Sequence, residues 1–279
     1  MNFDVLDISN TGISGIMPFS FWNSLPSKFS HMNISNNGFR GIIPDTSVVF
    51  DQVEVDLSSN FFTGAVPSFL GNALEMRMNN NTFSEVASFL CPKTKVTLFL
   101  LDISNNALSG ELPNCWGYFV QLGFLQLDNN NLSGNLPDSI FMLPELRALH
   151  VRNNSLSGEL PLSLKNCTSL ITLDLSYNYL TGQLPHWIGN PFNGTLVILN
   201  LQSNHFIGSL PSSLCQLSKL SILDLSSNHF VGYIPKCIYN LTAMVHSPYL
   251  RWTRQIVDIT WNSSGYWYYD AEWIMWKRK

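Results

Sequence analysis

Residues 101–113 read LDISNNALSGELP, and close relatives of this phrase recur along most of the chain. Aligned on Asn106, the register repeats at intervals of 21 to 26 residues, most often 24. Self-similarity at such a period is the signature of a repeat architecture. The register falls on Thr11, Asn37, Asn60, Asn81, Asn106, Asn130, Asn154, Asn178, Asn204 and Asn228.

Five further positions follow the same register. A pair of apolar residues lies five and three residues before each register position, and another apolar residue lies two residues after it. Glycine lies four residues after the register position and proline lies seven residues after it. The fourth repeat is the exception, with Glu85 and Ser88 at these two places. Ten matches of this kind are far beyond chance, so one structural unit is predicted to repeat.

Each conserved position of the unit has a physical role. Leu101 and Ile103 alternate with Asp102, which predicts a short strand with both apolar side chains inward. Asn106 follows where the chain turns, and its amide can donate and accept for buried backbone groups. Gly110 permits positive φ, and Pro113 fixes φ before the return leg. One such unit cannot bury its own apolar face, so a right-handed solenoid with a parallel strand ladder is predicted.

Residues Leu98 to Pro113, in the pattern L-x-x-L-x-L-x-x-N-x-L-x-G-x-I-P, resemble the plant-type leucine-rich repeat. The resemblance covers residues 1–244 and implies a curved superhelix with short 3₁₀ segments outside the inner sheet. Its Ser/Thr-Gly element implies a second small sheet on the flank. The expected fold is therefore an α/β solenoid, a right-handed leucine-rich-repeat superhelix with a parallel inner sheet and about ten plant-type repeats.

A narrower resemblance concerns the stretch 212–244 and the aromatic stretch after it. Together they resemble the ectodomain of plant leucine-rich repeat receptor-like proteins, in which such a block leads into a non-repeat island. We therefore expect a repeat solenoid over 1–244 and an island-like, aromatic-rich segment over 245–279. The segment is expected either to pack on the end of the solenoid or to contact a ligand, and the stretch IVDITW…YWYY in it is compatible with a hairpin.

Other elements of that family are missing from the sequence. In receptor-like proteins a cysteine-containing cap precedes the repeats, and further repeats, a membrane helix and a cytoplasmic tail follow. Here Phe3 already lies inside a repeat, the first residues do not read as a signal peptide, and no apolar run approaches 18 residues. The chain is therefore expected to be an internal fragment or a truncated product, located by resemblance on the extracellular side of the cell membrane.

Composition and motifs argue against several other functions. The net charge is −4 and no basic run occurs before the last three residues, so nucleic acid is not an expected partner. The histidines show no metal-ligand spacing, and no phosphate loop, nucleophile elbow or catalytic cysteine motif is present. His205 and His229 fall at the same place in neighbouring repeats, where solvent-facing variation is expected. We expect no enzyme, no metal and no cofactor.

The cysteines occupy informative places in the register. Cys91 and Cys115 lie at nearly equivalent positions of adjacent repeats, as do Cys215 and Cys237. One strand spacing separates such positions, which a disulfide can span, although four separate buried thiols remain the alternative. The extracellular resemblance favours disulfides in both pairs. Cys167 has no equivalent partner and is expected to be a buried small hydrophobe.

Eight sequons are candidate N-glycosylation sites if the chain is secreted, and otherwise they are accidents of an asparagine-rich repeat. Those on or beside the inner strands would obstruct part of the concave face. The candidates are Asn33, Asn80, Asn131, Asn153, Asn166, Asn193, Asn240 and Asn262.

A ligand is expected on the concave face, where the residues between and after the apolar pair face outward. Five of the ten repeats have Asp-x-Ser there, whereas the fourth, sixth, seventh and ninth carry other residues. These departures indicate either a recognition patch or ordinary solvated variation. The candidate residues are Glu75, Arg77, Gln126, Asp128, Arg147, His150, Arg152, Asn200 and Gln202.

The favoured function is a non-catalytic recognition module, the ectodomain part of a cell-surface receptor-like protein. By resemblance it would bind a peptide, protein or oligosaccharide in plant defence or development and signal through a receptor kinase partner or co-receptor. The alternatives are a secreted leucine-rich repeat inhibitor of a microbial wall-degrading enzyme and a parallel β-helix enzyme that degrades polysaccharides. A β-helix would not carry the repeated apolar-pair, glycine and proline phrase.

Overall fold

The repeats form a single ten-stranded parallel sheet in the computed structural model, which describes residues 4–26, 29–50, 52–246, 257–260 and 267–270. We number the coils 1 to 10 by the register position that each contains, from Thr11 to Asn228. Each inner strand is three residues long and is centred on the first member of the apolar pair. In chain order these strands are β1 (Val5–Asp7), β3 (His31–Asn33), β5 (Glu54–Asp56), β7 (Glu75–Arg77), β9 (Leu100–Asp102), β11 (Phe124–Gln126), β13 (Ala148–His150), β15 (Thr172–Asp174), β17 (Ile198–Asn200) and β19 (Ile222–Asp224).

The pairing register places equivalent residues of successive coils side by side. Leu101 pairs with Leu125, and Leu125 pairs with Leu149, so one column of leucines runs through the stack. All three side chains are fully buried. Neighbouring strands lie about 4.8 Å apart, so each lap of the backbone lands on its predecessor, as the repeat predicts.

A second set of short parallel strands runs along one flank, after each register position. These strands form separate sheets because the pairing is interrupted after β8 and again after β16. The flank strands are β2 (Ser14–Ile16), β4 (Gly38–Ile42), β6 (Phe61–Ala65), β8 (Thr82–Glu85), β10 (Ser109–Glu111), β12 (Asn131–Asn135), β14 (Ser155–Gly158), β16 (Tyr179–Leu180), β18 (Ile207–Gly208) and β20 (His229–Phe230).

The glycine of the phrase is required by both conformation and space. Gly182 has φ +84°, and a Cβ there would lie 2.7 Å from Cγ of Glu159 on the preceding coil. In the fourth coil, where Glu85 replaces glycine, the register with β6 shifts between Gly64 and Ala65. The departure seen in the sequence therefore coincides with an irregularity and with the first interruption of the flank sheet.

Short helices form the convex side. Proline precedes most of them in an extended conformation, as at Pro161, where φ is −69° and ψ is 148°. In the fourth coil, Ser88 replaces the proline and a turn of α-helix forms instead of a 3₁₀-helix. The α-helices are α1 (Phe19–Asn23), α2 (Ala87–Leu90) and α3 (Ala243–His246), and the 3₁₀-helices are η1 (Ser68–Asn72), η2 (Trp116–Tyr118), η3 (Asp138–Met142), η4 (Leu162–Asn166), η5 (Ser212–Gln216) and η6 (Lys236–Asn240).

An asparagine ladder joins each coil to the one before it. The Nδ2 group of Asn178 donates to the carbonyl of Val151 in the preceding coil at 2.9 Å, and also to two carbonyls of its own coil. Its Oδ1 accepts a hydrogen bond from the backbone N–H of Leu156 in the preceding coil at 3.0 Å. At Asn37 the Oδ1 accepts from the backbone N–H of Thr11. The same bonds as at Asn178 recur at Asn60, Asn81, Asn106, Asn130, Asn154, Asn204 and Asn228.

The residue before each register position adopts left-handed backbone geometry, a feature that the sequence analysis missed. At Asn105 and Asn153, for example, φ is 52° and 53°. Asparagine tolerates this region better than most residues, and asparagine or serine occupies the position in every coil except coil 8. Tyr177 has φ 54° there, in a conformation that is a genuine outlier for a bulky side chain.

Two disulfides tie successive coils together on the convex side. Cys91 is bonded to Cys115, with Cα atoms 5.4 Å apart, and Cys215 is bonded to Cys237, with Cα atoms 5.7 Å apart. Both pairs are those that the register indicates. Cys167 is free and buried, and burial raises its pKa to about 12.

Beyond the solenoid, the structure pairs β21 (Val257–Thr260) with β22 (Trp267–Asp270) as an antiparallel hairpin. The sequence of this stretch is compatible with a hairpin. The remainder of 247–279, including the sequon at Asn262 and the basic residues Lys277 to Lys279, lies outside the described residues.

Replacing Asn178 by alanine is expected to lower the free energy of unfolding by about 3 kcal/mol, because it leaves buried backbone groups of two coils unpaired. The change is measured by urea unfolding followed by circular dichroism. Asn190→Ala, at an exposed asparagine, is the control and should shift stability by no more than about 0.5 kcal/mol. Equal effects of the two substitutions would contradict the ladder.

Alkylation with iodoacetamide should count the thiols in three steps. The native protein should take no label, because the raised pKa and burial of Cys167 suppress its thiolate. The protein unfolded without reductant should take one label, and the reduced protein should take five. Intact-mass spectrometry gives these counts, and more than one label before reduction would show that a predicted disulfide is absent.

Candidate ligand-binding face

The candidate residues of the concave face lie in one continuous surface. In the central row of the inner sheet, Arg77 pairs in register with Asp102, and Asp102 with Gln126. The row continues through His150 and Asp174 to Asn200. The structure therefore brings together residues that are separated by more than a hundred positions in the sequence.

Coil 4 contributes an ion pair to this face. Arg77 Nη2 lies 2.9 Å from Glu75 Oε2, and the Glu75 side chain is only 6% exposed. Burial raises the pKa of Glu75, while the neighbouring Arg77 opposes that shift. The carboxyl of Glu75 is therefore poorly solvated. As an outward-facing strand residue it was expected to be accessible, but its side chain is buried.

Asp102 in the next coil is also a desolvated carboxyl. Burial raises its pKa, whereas hydrogen bonds from Ser104 lower it in part. The Ser104 hydroxyl and backbone N–H donate to Asp102 Oδ1 at 2.7 and 3.0 Å. The Asp-x-Ser pattern in this coil is thus a local hydrogen-bonded unit.

Coils 6 and 7 are linked through Asp128. Its Oδ1 accepts a hydrogen bond from the backbone N–H of Arg152 at 2.6 Å, and its Oδ2 lies 4.0 Å from His150 Nδ1. His150 is 1% exposed, so the expectation that its side chain is displayed to solvent is wrong.

The most exposed cation of the face is Arg152. Its guanidinium carbon lies 4.9 Å from the ring centroid of Tyr177 on coil 8, a cation–π contact. Among the described residues no carboxylate pairs with it, whereas Arg147 lies 3.8 Å from Glu145. Stacking on a ring leaves the in-plane N–H donors of a guanidinium able to bind another group. Sequence reasoning missed Tyr177, although it is the one residue of its repeat position that is neither asparagine nor serine.

Beside this pair, coil 8 buries polar side chains on the concave side. Asp174 is 1% exposed and accepts a hydrogen bond from Asn200 Nδ2 at 3.0 Å. The hydroxyls of Thr172 and Ser176 are buried and have no hydrogen-bond partner within the described part of the chain. The Ser104 and Ser226 hydroxyls, in contrast, donate to the aspartate of their own coil. Both side chains are fully buried, so these hydroxyls are not displayed to a ligand at the surface.

An apolar patch, also missed from the sequence, adjoins the polar row. Leu100, Phe124 and Ala148 face the concave side yet are buried against each other. The ring of Phe99 packs edge-on against Phe124 at 5.3 Å and lies over Gly123, where a Cβ would approach it to 3.0 Å. Sequence reasoning assigned the outward positions to polar candidates and overlooked this row.

The remaining candidates lie on the same face or around it. Asn200 Oδ1 accepts from the backbone N–H of Gln202 at 3.2 Å, so these two residues support each other. Of the sequon asparagines, Asn33 lies on β3, and Asn153 donates to Asn129 Oδ1 at 2.9 Å on the rim. In the described ranges, no cluster of His, Cys, Asp or Glu could hold a metal ion. No helix in those same ranges has the length and apolarity to cross a membrane.

The chain matches the Leucine Rich Repeat family in six segments, at 97–119, 121–143, 145–167, 169–191, 195–217 and 219–241. It is similar to receptor-like protein EIX2 of Solanum lycopersicum, with 41% identity over 116 residues. That alignment covers 41% of this chain and 11% of the tomato protein. The chain thus spans only about a tenth of the length of this curated relative.

Solved structures of plant receptors are also similar to this chain. The leucine-rich repeat ectodomain of the receptor kinase GASSHO1/SCHENGEN3 from Arabidopsis thaliana, in complex with CASPARIAN STRIP INTEGRITY FACTOR 2, is similar with a TM-score of 0.76 and 30% identity. The match covers 87% of this chain and 29% of that one. The plant peptide hormone receptor RGFR1, in complex with RGF2, follows with a TM-score of 0.60 and 25% identity over 83% of this chain and 45% of its own.

These relatives are a receptor-like protein, a receptor kinase ectodomain and a peptide hormone receptor, and the latter two were solved in complexes. The repeated phrase, the asparagine-laddered parallel sheet and the six family matches agree with them along most of the solenoid. The chain is a non-catalytic leucine-rich repeat protein of the kind found in the ectodomains of plant receptor-like proteins.

Proposed function

We propose that this chain is the ligand-recognition part of a cell-surface receptor-like protein in plant defence or development, and that coils 6 to 9 of its concave face bind a peptide or a peptide segment of a protein. The observation that carries this proposal is the Arg152–Tyr177 pair. It combines an exposed guanidinium that lacks a carboxylate partner among the described residues with a tyrosine held at φ 54°. Backbone strain of this kind concentrates at functional sites.

The surroundings of the pair fit a peptide. Gln126 on coil 6 and Gln202 on coil 9 carry partly exposed amide side chains on the same face. Extended peptides present alternating backbone donors and acceptors, which these amides can satisfy. A guanidinium binds carboxylates in a planar, bidentate manner, so an acidic side chain or a carboxyl terminus suits Arg152.

The other candidate residues have two roles in this proposal. Gln126, Asp128, Arg147 and Gln202 flank the centre and would contact the ligand. Glu75 and Arg77 on coil 4 are already paired, so they would order the face rather than hold the ligand. Signalling would require a receptor kinase partner or co-receptor, as the resemblance implies, with the solenoid on the extracellular side of the cell membrane.

Selection of a random peptide library displayed on phage tests the binding role. We expect selected peptides to bind the wild-type protein and to lose about tenfold or more in affinity for Arg152→Ala or Tyr177→Ala. Biolayer interferometry gives the affinities, and thermal melts confirm that each variant is folded. The matched control is Arg40→Ala, which removes an exposed arginine from the flank of coil 2.

Two results would contradict the proposal. One is a failure to select any peptide that competes with the others for a common site. The other is a set of peptides that bind Arg152→Ala as well as wild type but lose affinity for Arg40→Ala.

The buried carboxyl of Glu75 gives a pH-dependent prediction. Its pKa is raised in the folded state, so the folded protein holds this proton more tightly than the unfolded chain does. Stability from this group is therefore present below the ordinary pKa and is lost as the pH rises through the folded pKa. Glu75→Gln removes the charge, so the variant's Tm relative to wild type should be higher at about pH 7 than at about pH 4.

Differential scanning calorimetry at both pH values measures this difference. Glu145→Gln, at the more exposed carboxylate beside Arg147, is the control and should change the Tm difference little. A Glu75→Gln difference that is constant or falls with rising pH would show that Glu75 is not desolvated.

A further inference from the structure

The junction between coils 4 and 5 has the weakest flank of the solenoid. Coils 5, 6 and 7 are joined there by parallel strands, β10 with β12 and β12 with β14. Between β8 and β10 no strand pairing forms, and among the described residues one backbone hydrogen bond remains, from the Ala107 N–H to the Phe83 carbonyl at 2.9 Å. At the second interruption, between β16 and β18, two such bonds and the bridged pair Gln183 and Ile207 remain. The flank therefore contributes little to holding coil 4 on coil 5.

The sequence of coil 4 accounts for this break. Glu85 stands where every other coil has a glycine with positive φ, a conformation that side chains other than glycine disfavour. Strand β8 consequently ends at Glu85 with a shifted register against β6. Ser88 stands where the other coils have proline, and the helix that follows is α2 instead of a 3₁₀-helix. Two substitutions within one coil thus interrupt the flank at this junction.

The core beneath the flank also changes at the junction. In coils 2 to 4 the rings of Phe39, Phe62 and Phe83 stack in one column, with successive centroids 6.4 and 6.3 Å apart. This column ends at the junction, because coil 5 has Leu108 at the same position and leucine continues there through coil 8. The stacked rings therefore join coils 2, 3 and 4 to one another, and a leucine column joins the coils that follow.

A disulfide crosses the same junction on the convex side. Cys91 directly follows α2 of coil 4, and Cys115 directly precedes η2 of coil 5. Both cysteines are half-buried, so part of the bond is open to solvent. The other disulfide, Cys215 to Cys237, joins coils 9 and 10, whose flanks are already paired through β18 and β20. The covalent link between coils 4 and 5 thus lies where flank pairing is absent.

A weak junction divides a repeat protein into units of stability. Each coil is stabilised by its own contacts and by those with its nearest neighbours, so coils on the two sides of a weak junction can unfold separately. Coils 1–4 form the smaller unit, and coil 1 is loosely packed, with Val5 55% and Ile13 44% exposed. The Cys91–Cys115 bond spans 24 residues, and loss of such a cross-link shifts a local unfolding equilibrium by about a hundredfold.

We propose that the Cys91–Cys115 disulfide is a redox-sensitive latch that holds coils 1–4 on coils 5–10. A thiolate of a dithiol reductant attacks one of its sulfurs and forms a mixed disulfide, which the second thiol of the reductant then resolves. Cys91 and Cys115 become thiols and the reductant becomes a disulfide. Coils 1–4 then unfold locally, while coils 5–10 stay folded. The concave centre of coils 6 to 9 lies wholly in the second unit, so this inference does not rest on the proposed binding role.

Hydrogen–deuterium exchange of the full chain, measured by mass spectrometry, tests the latch. In the variant Cys215→Ser with Cys237→Ser, the bond between Cys91 and Cys115 is the remaining disulfide. Reducing this folded variant with dithiothreitol should accelerate amide exchange in coils 1–4 by about a hundredfold and leave coils 5–8 unchanged. Wild type reduced in the same way should show the same change in coils 1–4, so the test does not depend on the folding of the variant.

The matched control is Cys91→Ser with Cys115→Ser, which retains the other disulfide. Its amides in coils 1–4 should exchange fast before reduction, and reduction should not accelerate them further. Equal acceleration in coils 1–4 and coils 5–8 of reduced wild type overturns the proposal, because the solenoid then unfolds as one unit. Unchanged exchange in coils 1–4 of reduced wild type also overturns it, because the junction then holds without the disulfide.

Discussion

The structure depends on the hydrogen bonds that one amide side chain makes to the coil before it. A solenoid turn removes backbone N–H and C=O groups from water without giving them a strand partner, and each orphaned group costs about 1–3 kcal/mol. The ladder asparagine supplies a donor and an acceptor at the same place in every lap. Asn178, for example, bonds a carbonyl and an N–H of the preceding coil within 3.0 Å. Coil-to-coil spacing is thereby fixed, and leucine columns such as that of Leu125 and Leu149 follow from it.

A fixed frame leaves other positions free to vary. The outward side chains of the inner and flank strands contribute little to the packing of the columns, so they can change from coil to coil at small cost. This freedom explains why coils 1, 5 and 10 carry the self-satisfied Asp-x-Ser unit while coils 7 and 8 carry Arg152 and Tyr177. Tyr177 shows that the freedom has a cost, since its left-handed backbone suits asparagine better.

Because the chain repeats, it provides its own internal comparison. Ten coils sample the same backbone environment, so a residue that differs from its equivalents is not required by the fold. One surface stands out by this criterion: the concave centre of coils 6 to 9, where Arg152 and Tyr177 replace the residues of the other coils.

The sequence by itself determined the architecture, because the apolar pair, asparagine, glycine and proline act within one coil and its nearest neighbour. It therefore predicted the strand positions, the stacking of Leu101 on Leu125, both disulfide pairs and the burial of Cys167. It also placed the candidate residues on one face. Only the tertiary structure decided which of them are accessible, since accessibility depends on how side chains of the same and adjacent coils pack. His150 and Glu75 are buried, Arg152 stacks on Tyr177, and Phe99 lies over Gly123. The register brings such residues together but does not identify which contacts they make.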